Sequence, residues 1–250
     1  QESMHQIRMF GPFAISHRGT PIPRHSWGRQ KSLAIAKYLI AHRGQAVRLE
    51  RLAKLFYPGK PLDQVQANLR ARISEIRRAL WPDPSHPDAK DGLRLVEGPG
   101  YRFDPQAPCW IDIEWFERHL EAANDYFGRT MWQAALEHFT KANALYRGDF
   151  LIDDLDEEWT QDIRERLNMA YQSSLLKTAE CHLRLGQYQL AAASAQRARE
   201  IDPLDEEAYR LQILALGHMP DKAAVTRVYQ ALVEALREIE VEPDPEIKEL

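Results

Sequence analysis

The densest recognition chemistry in the chain lies in residues 63–80, DQVQANLRARISEIRRAL, which carry Arg70, Arg72, Arg77 and Arg78 beside Gln64, Asn68 and Ser74. A guanidinium is a planar fork of donors that fits phosphate oxygens or the paired acceptors of guanine, and a carboxamide fits the donor–acceptor edge of adenine. Such groups act together only if one face of an element presents them while the opposite face is held. Leu69, Ile73, Ile76 and Leu80 recur at helical spacing and supply the held face. The same spacing turns Gln64, Asn68, Ala71, Ser74, Glu75 and Arg78 most directly outward, with Arg70 and Arg77 on one flank and Arg72 on the other. Taken alone, an arginine-studded amphipathic helix is more often an ordinary solvated surface helix, so its neighbours must decide.

Other chemistries find no footing. The chain has no Gly-rich phosphate loop, Gly-x-Ser-x-Gly elbow, paired-His metal motif or Cys/His cluster, so neither catalysis nor a cofactor or metal is expected. The acidic run Asp153, Asp154, Asp156, Glu157 and Glu158 lacks the alternating spacing and inner glycine of a calcium loop. It reads instead as a helix start, with Asp156 as N-cap and two glutamates in the favourable first turn. Cys109 and Cys181 form no paired framework and read as packed thiols in a reducing compartment. Apolar runs fall short of the roughly 18 residues a membrane span needs, and no apolar signal segment opens the chain. A cytoplasmic protein without a membrane partner is the expectation. Gln1, Glu2 and Ser3 precede Met4, which fits either an appended segment or a piece of a longer chain, and both stay open.

The net charge of −4 conceals a split. Residues 1–110 hold 18 Lys and Arg against 9 Asp and Glu, whereas residues 111–250 hold 15 against 28. A basic module joined to an acidic one suits a nucleic-acid binder with a separate protein-facing part.

The elements around 63–80 sharpen that reading. Residues 6–15 alternate loosely around Gly11-Pro12 and predict a strand, a turn and a second strand. A helix follows over 29–43, closed by Gly44, and a shorter one over 48–56, broken by Pro58, Gly59 and Pro61. After the Pro-rich stretch PDPSHPDAKDG, two short runs flank Gly98-Pro99-Gly100 and predict a β-hairpin over 93–104 carrying Arg94, Tyr101 and Arg102. Three helices closed by a hairpin form a winged helix-turn-helix, in which the last helix enters the major groove and the wing reaches the adjacent backbone.

The ordered segments FGPFAI, Trp27, RQKSLAIAKYLIAHRGQAV, RLAKLFYPGKP, NLRARISEIRRAL and GPGYRF resemble the OmpR/PhoB-type winged helix in its SARP (antibiotic regulatory protein) version, over about residues 6–104. The resemblance implies that 63–80 is the recognition helix and that Tyr101 and Arg102 belong to the wing. It also implies binding as two copies on direct-repeat sites in double-stranded promoter DNA. Some relatives contact RNA polymerase through the loop that here reads YPGKPLDQ. That loop carries Lys60 and lacks acidic character, so the polymerase contact stays open.

From Ile111 onward the pattern is helical, with helices expected over 112–127, 131–146, 157–185, 188–200, 205–217 and 221–239. Ala179, Gly186, Tyr188, Ala191, Ala198 and Pro203 match the spacing of a tetratricopeptide (TPR) unit. Ala123, Tyr126, Trp132, Ala135, Phe139 and Ala142 repeat it in phase. The segments DIEWFERHLEAA, ALYRGDFL, DEEWTQDIRERL and EIEVEPDPEIKEL resemble the bacterial transcriptional activator domain that follows the winged helix in SARP-type regulators.

The expected fold is mainly α: a winged helix-turn-helix with N-terminal strands and a C-terminal hairpin over 6–108, then an all-α TPR-like domain over 109–250. The expected function is sequence-specific DNA binding and transcriptional activation. The DNA-facing set is Gln64, Asn68, Arg70, Arg72, Ser74, Arg77, Arg78, Arg94, Tyr101 and Arg102. The alternative is a TPR-type protein-interaction scaffold in which the winged helix is a docking module, since winged helices can also bind protein.

Overall fold

The structure is a computed structural model and describes residues 5–83, 85, 92–95 and 100–250. It divides into two compact units, one made of Gln1–Arg8 and Ala14–Ile111, the other of Met9–Phe13 and Asp112–Leu250.

The first unit opens with β1 (His5–Arg8), β2 (Ala14–His17) and β3 (Thr20–Pro21). Strand β7 (Cys109–Ile111) joins them, giving the order β3-β2-β1-β7 with β7 parallel to β1. The sequence predicts a simple turn at Gly11-Pro12, but Met9–Phe13 instead leaves the sheet for the second unit. The tight turn lies farther on, where Arg18 and Gly19 both take positive φ and join β2 to β3 through a two-residue loop.

A 3-10 turn at Arg24–Trp27 leads into α1 (Gln30–Ala41), the short β4 (Val47–Arg48), α2 (Leu49–Phe56) and α3 (Leu62–Leu80). Ile35, Leu39, Leu52, Leu69, Ile73 and Ile76 are buried together with Trp27. Each such aliphatic side chain contributes about 1.5 to 3 kcal/mol by leaving water. Burying that face of α3 leaves the opposite face exposed. The last turn of α3 is held by His5, whose Nε2–H donates to the Leu80 carbonyl at 2.5 Å. That carbonyl is one of the acceptors a helix end leaves unpaired.

The wing is a second sheet of order β4-β6-β5, with β5 (Leu93–Leu95) antiparallel to β6 (Gly100–Phe103). Gly98, Pro99 and most of the preceding Pro-rich loop lie outside the described residues. Gly100 has a steric duty, because a Cβ there would lie 2.6 Å from the Val47 carbonyl oxygen. Gly100→Ala should therefore part β4 from β6 and cost about 1 to 3 kcal/mol, as overpacking does. Thermal unfolding checks this, and an unchanged melting temperature would refute it.

The second unit is helical: α4 (Asp112–Gly128), α5 (Trp132–Leu145), a 3-10 turn at Ile152–Asp154, α6 (Glu158–Arg184), α7 (Tyr188–Ile201), α8 (Glu206–Gly217), α9 (Lys222–Arg237) and α10 (Pro245–Lys248). Consecutive helices from α4 to α9 pack on one another, α4 to α8 with buried alanines in the contacts and α8 with α9 through Tyr209, Ile213, Val228 and Leu232. Ala123, Ala135 and Phe139 form one cluster, Ala179, Ala195 and Leu211 another, and Ala191, Ala192 and Ala215 a third. A methyl side chain lets helix axes approach to about 8 Å, which is why the repeat needs alanine there. The expected Asp156 cap is not used: α6 is preceded by Glu157, which makes no side-chain capping bond. Thr160, one turn in, instead donates its hydroxyl back to the Glu157 carbonyl at 2.7 Å. Asp205 and Asp221 do cap, accepting from the amides of Glu207 and Ala224. Cys181 is fully buried, and that burial, with Glu180 nearby, pushes its thiol up to about 12.

Met9–Phe13 completes this unit. Phe10 bridges Phe150 in antiparallel fashion and packs edge-on against Phe116. Asp112 is 2% exposed and receives the amides of Met9, Phe10 and Ile113. No helix among the described residues is long and apolar enough to cross a membrane.

Candidate nucleic-acid interface

Helix α3 separates its residues by face. Gln64, Asn68, Arg70, Ala71, Ser74 and Arg78 are exposed, while Val65, Leu69, Arg72, Ile73 and Ile76 are buried. Gln64, Asn68, Ala71, Ser74 and Arg78 follow one another at steps of three or four residues and form a single stripe. Its centre is short: Ala67 and Ala71 carry only methyl groups, which would let a groove floor come close to the helix backbone. Asn68 already donates its side-chain amide to the Gln64 carbonyl at 2.9 Å, leaving its oxygen directed by a local bond.

Two members of the expected set lie elsewhere. Arg72, placed on an outer flank by helical spacing, is 8% exposed and pairs with Glu75 at 3.0 Å. Tyr101 is 6% exposed, in β6 opposite Val47, so it belongs to the core under the wing and not to the wing surface. Its burial raises the phenol above the ordinary value of 10.0, while the nearby charges of Arg70 and Arg77 pull it down. Those two arginines therefore lie close to the wing strand.

Arg77 is half-buried and donates its Nη2 to the Leu93 carbonyl, fastening α3 to β5. The Nε groups of Arg77 and Arg102 are buried and make no hydrogen bond among the described residues. Arg94 stands opposite Arg102 in the hairpin register, and its side chain lies outside the described residues.

Glu75 also departs from the outward placement its spacing predicts. Its Oε2 accepts from the Ser32 hydroxyl at 2.5 Å and from the Arg29 amide at 3.4 Å, both at the start of α1. Burial by itself would raise this carboxyl. The Ser32 and Arg29 hydrogen bonds and the charges of Arg72 and Arg29 outweigh it and hold the group below its ordinary 4.5. A depressed carboxyl contributes stability that is complete above the unfolded value and vanishes as pH falls through the folded one. In Glu75→Gln, the melting-temperature difference from wild type should shrink as pH falls through the carboxylate range. A difference that stays constant with pH would refute it.

Lys31 is a cation in this unit that the spacing does not single out. Its Nζ donates to the Phe56 carbonyl at 2.7 Å and lies over the Tyr57 ring at 4.4 Å, joining α1 to the end of α2. In the helical unit a cavity of about 270 Å³ is lined by Glu180, Arg184, Tyr188, Arg210 and His218 among others. Its arginines are already paired, Arg184 with Glu180 and Arg210 with Glu207.

The sequence profile of the bacterial transcriptional activator domain matches residues 111–250, more than half of the chain. The chain belongs to the bacterial transcriptional activator domain family. It is a SARP-type transcriptional regulator, and the activator-domain profile covers its helical unit. The regulatory protein DnrI of Streptomyces peucetius is 29% identical over 255 residues, covering 98% of this chain and 90% of that protein. The structure of Mycobacterium tuberculosis EmbR in complex with a low affinity phosphopeptide is similar in fold, with a TM-score of 0.83 at 21% identity. That likeness covers 99% of this chain, which spans 64% of the length of the EmbR chain. Strands, winged helix and helical repeats thus recur in one order in a SARP-type fold. The family is one of regulators and not of enzymes.

Proposed function

We propose that this SARP-type regulator binds double-stranded promoter DNA in a sequence-specific manner and activates transcription in the cytoplasm, α3 lying in the major groove. The observation that carries the proposal is the exposed stripe Gln64, Asn68, Ala71, Ser74 and Arg78, flanked by Arg70 and standing beside a hairpin that contains Arg102. Arg78 has the fork that fits guanine, Asn68 and Gln64 fit adenine, and the Ala71 methyl fits a thymine methyl. Arg70, Arg77 and the wing arginines supply phosphate contacts, which set position but carry no sequence information. Arg72 and Tyr101 are left out of this set because both are buried. A pair of chains on a direct repeat is the arrangement proposed, with the acidic helical unit facing protein partners.

The test is selection from a pool of random duplexes at two salt concentrations. Enrichment of a short repeated motif supports the proposal. Binding that is unselective and disappears with modest salt would leave only a basic surface, and the proposal would fail.

A further inference from the structure

Glu75 is the lone acid among the arginines between residues 70 and 78. A carboxylate there repels the phosphates that the arginines attract, so its presence needs a reason. Both its oxygens are occupied: Oε2 by the Ser32 hydroxyl and Arg29 amide, Oε1 by Arg72 at 3.0 Å. The loop before α1 is shaped around it. Gly28 has φ +70, and a Cβ there would lie 2.9 Å from the Glu75 carboxyl carbon. The positive end of the α1 dipole favours an anion at this spot.

We propose that Glu75 is a positioning residue, whose two bonds to Ser32 and Arg29, with the carboxylate braced by Arg72 of its own helix, fix the roll of α3 against the start of α1 and so decide which edge of the exposed stripe meets the bases. This rests on the DNA reading proposed above. Apolar packing between α1 and α3 is non-directional and tolerates a small rotation. A side-chain tip about 6 Å from the helix axis moves about 1 Å for each ten degrees of roll. That displacement is enough to spoil a base contact held at hydrogen-bond distance. Arg72 then serves DNA only through Glu75.

The test compares wild type, Glu75→Ala, Arg72→Ala, the double variant and Ser32→Ala, each as the whole chain. Affinity is measured for the selected duplex and for a scrambled one across a salt series, alongside thermal unfolding. Glu75→Ala should lower the ratio of specific to non-specific affinity about tenfold. Its non-specific affinity should not fall, because a carboxylate that repels phosphate is removed, and Arg72→Ala should lower the ratio no further in its background. A purely structural role would instead lower both affinities together with the melting temperature. Should Glu75→Ala fail to fold, Ser32→Ala removes one of the two bonds and is expected to lower the ratio about threefold. An unchanged ratio in a folded variant overturns the inference. So does an Arg72→Ala loss that is equal on both duplexes and lowers the salt slope by about one, since that marks a phosphate ligand. A wild type that selects no sequence overturns the DNA reading itself, and this inference with it.

Discussion

Replacing Asp112 by alanine should cost the helical unit about 3 to 5 kcal/mol, because it takes the acceptor from three buried backbone amides at once. The carboxylate lies 2.9 Å from the Met9 amide through both oxygens, 3.0 Å from that of Phe10 and 2.8 Å from that of Ile113. Alanine leaves these buried donors without this acceptor, and each unsatisfied donor carries about 1 to 3 kcal/mol of desolvation. It also removes an anion from the first turn of α4, where the helix dipole favours one. Asparagine keeps one acceptor oxygen but turns an NH2 toward the remaining amides, so Asp112→Asn should fall between alanine and wild type. Urea unfolding followed by far-UV circular dichroism would measure the midpoints. Coincident midpoints for wild type and Asp112→Ala would show that Met9–Phe13 is not held as described.

The second large effect is on binding. Arg70 and Arg78 are both exposed on α3, Arg70 on a flank and Arg78 at the end of the stripe. A bidentate base contact is worth about 1 to 3 kcal/mol. Each phosphate contact steepens the salt slope by about one. Arg70→Ala combined with Arg78→Ala should therefore weaken binding to the selected duplex by about a hundredfold or more at moderate salt. The salt slope should flatten as well, with the melting temperature unchanged because neither side chain is buried. Equal affinity for the double variant and wild type would remove α3 as the reading element. Arg72→Ala, by contrast, should act first on the packing of α3 against α1.

These contrasts show where sequence periodicity is informative. Helix α3 was legible almost to the residue, at 63–80 expected and Leu62–Leu80 found, because four large aliphatic residues at helical spacing leave one way to bury that face. The repeat helices were equally legible, since Ala123, Ala135, Ala179, Ala191 and Ala198 stand where only a methyl fits, and all are fully buried. Strands β4 and β7 were not. At two and three residues they are too short to alternate, and their pairing depends on partners distant in sequence. The same reason hid the inward turn of Glu75 and Arg72. A helical wheel places side chains by angle alone, and Ser32, which draws Glu75 inward, lies 43 residues earlier. The signal was chemical: a single acid within a run of arginines. Asp156 failed as a cap for a local reason, since the helix begins after Glu157 and the cap position falls one residue beyond Asp156.

The strand-like segment Met9–Phe13 carries a consequence for the order of events on the ribosome. Its residues are synthesised before the winged helix, yet Met9 finds its acceptor in Asp112, 103 residues later. At a bacterial pace of about 5 to 20 residues per second, that interval lasts roughly ten seconds. Phe10 waits longer still for Phe150. For that time the nascent chain carries an aromatic segment with no place to be buried, which is the kind of surface chaperones recognise. The winged helix is made during the wait, so a segment that precedes it in the chain reaches its final surroundings after it.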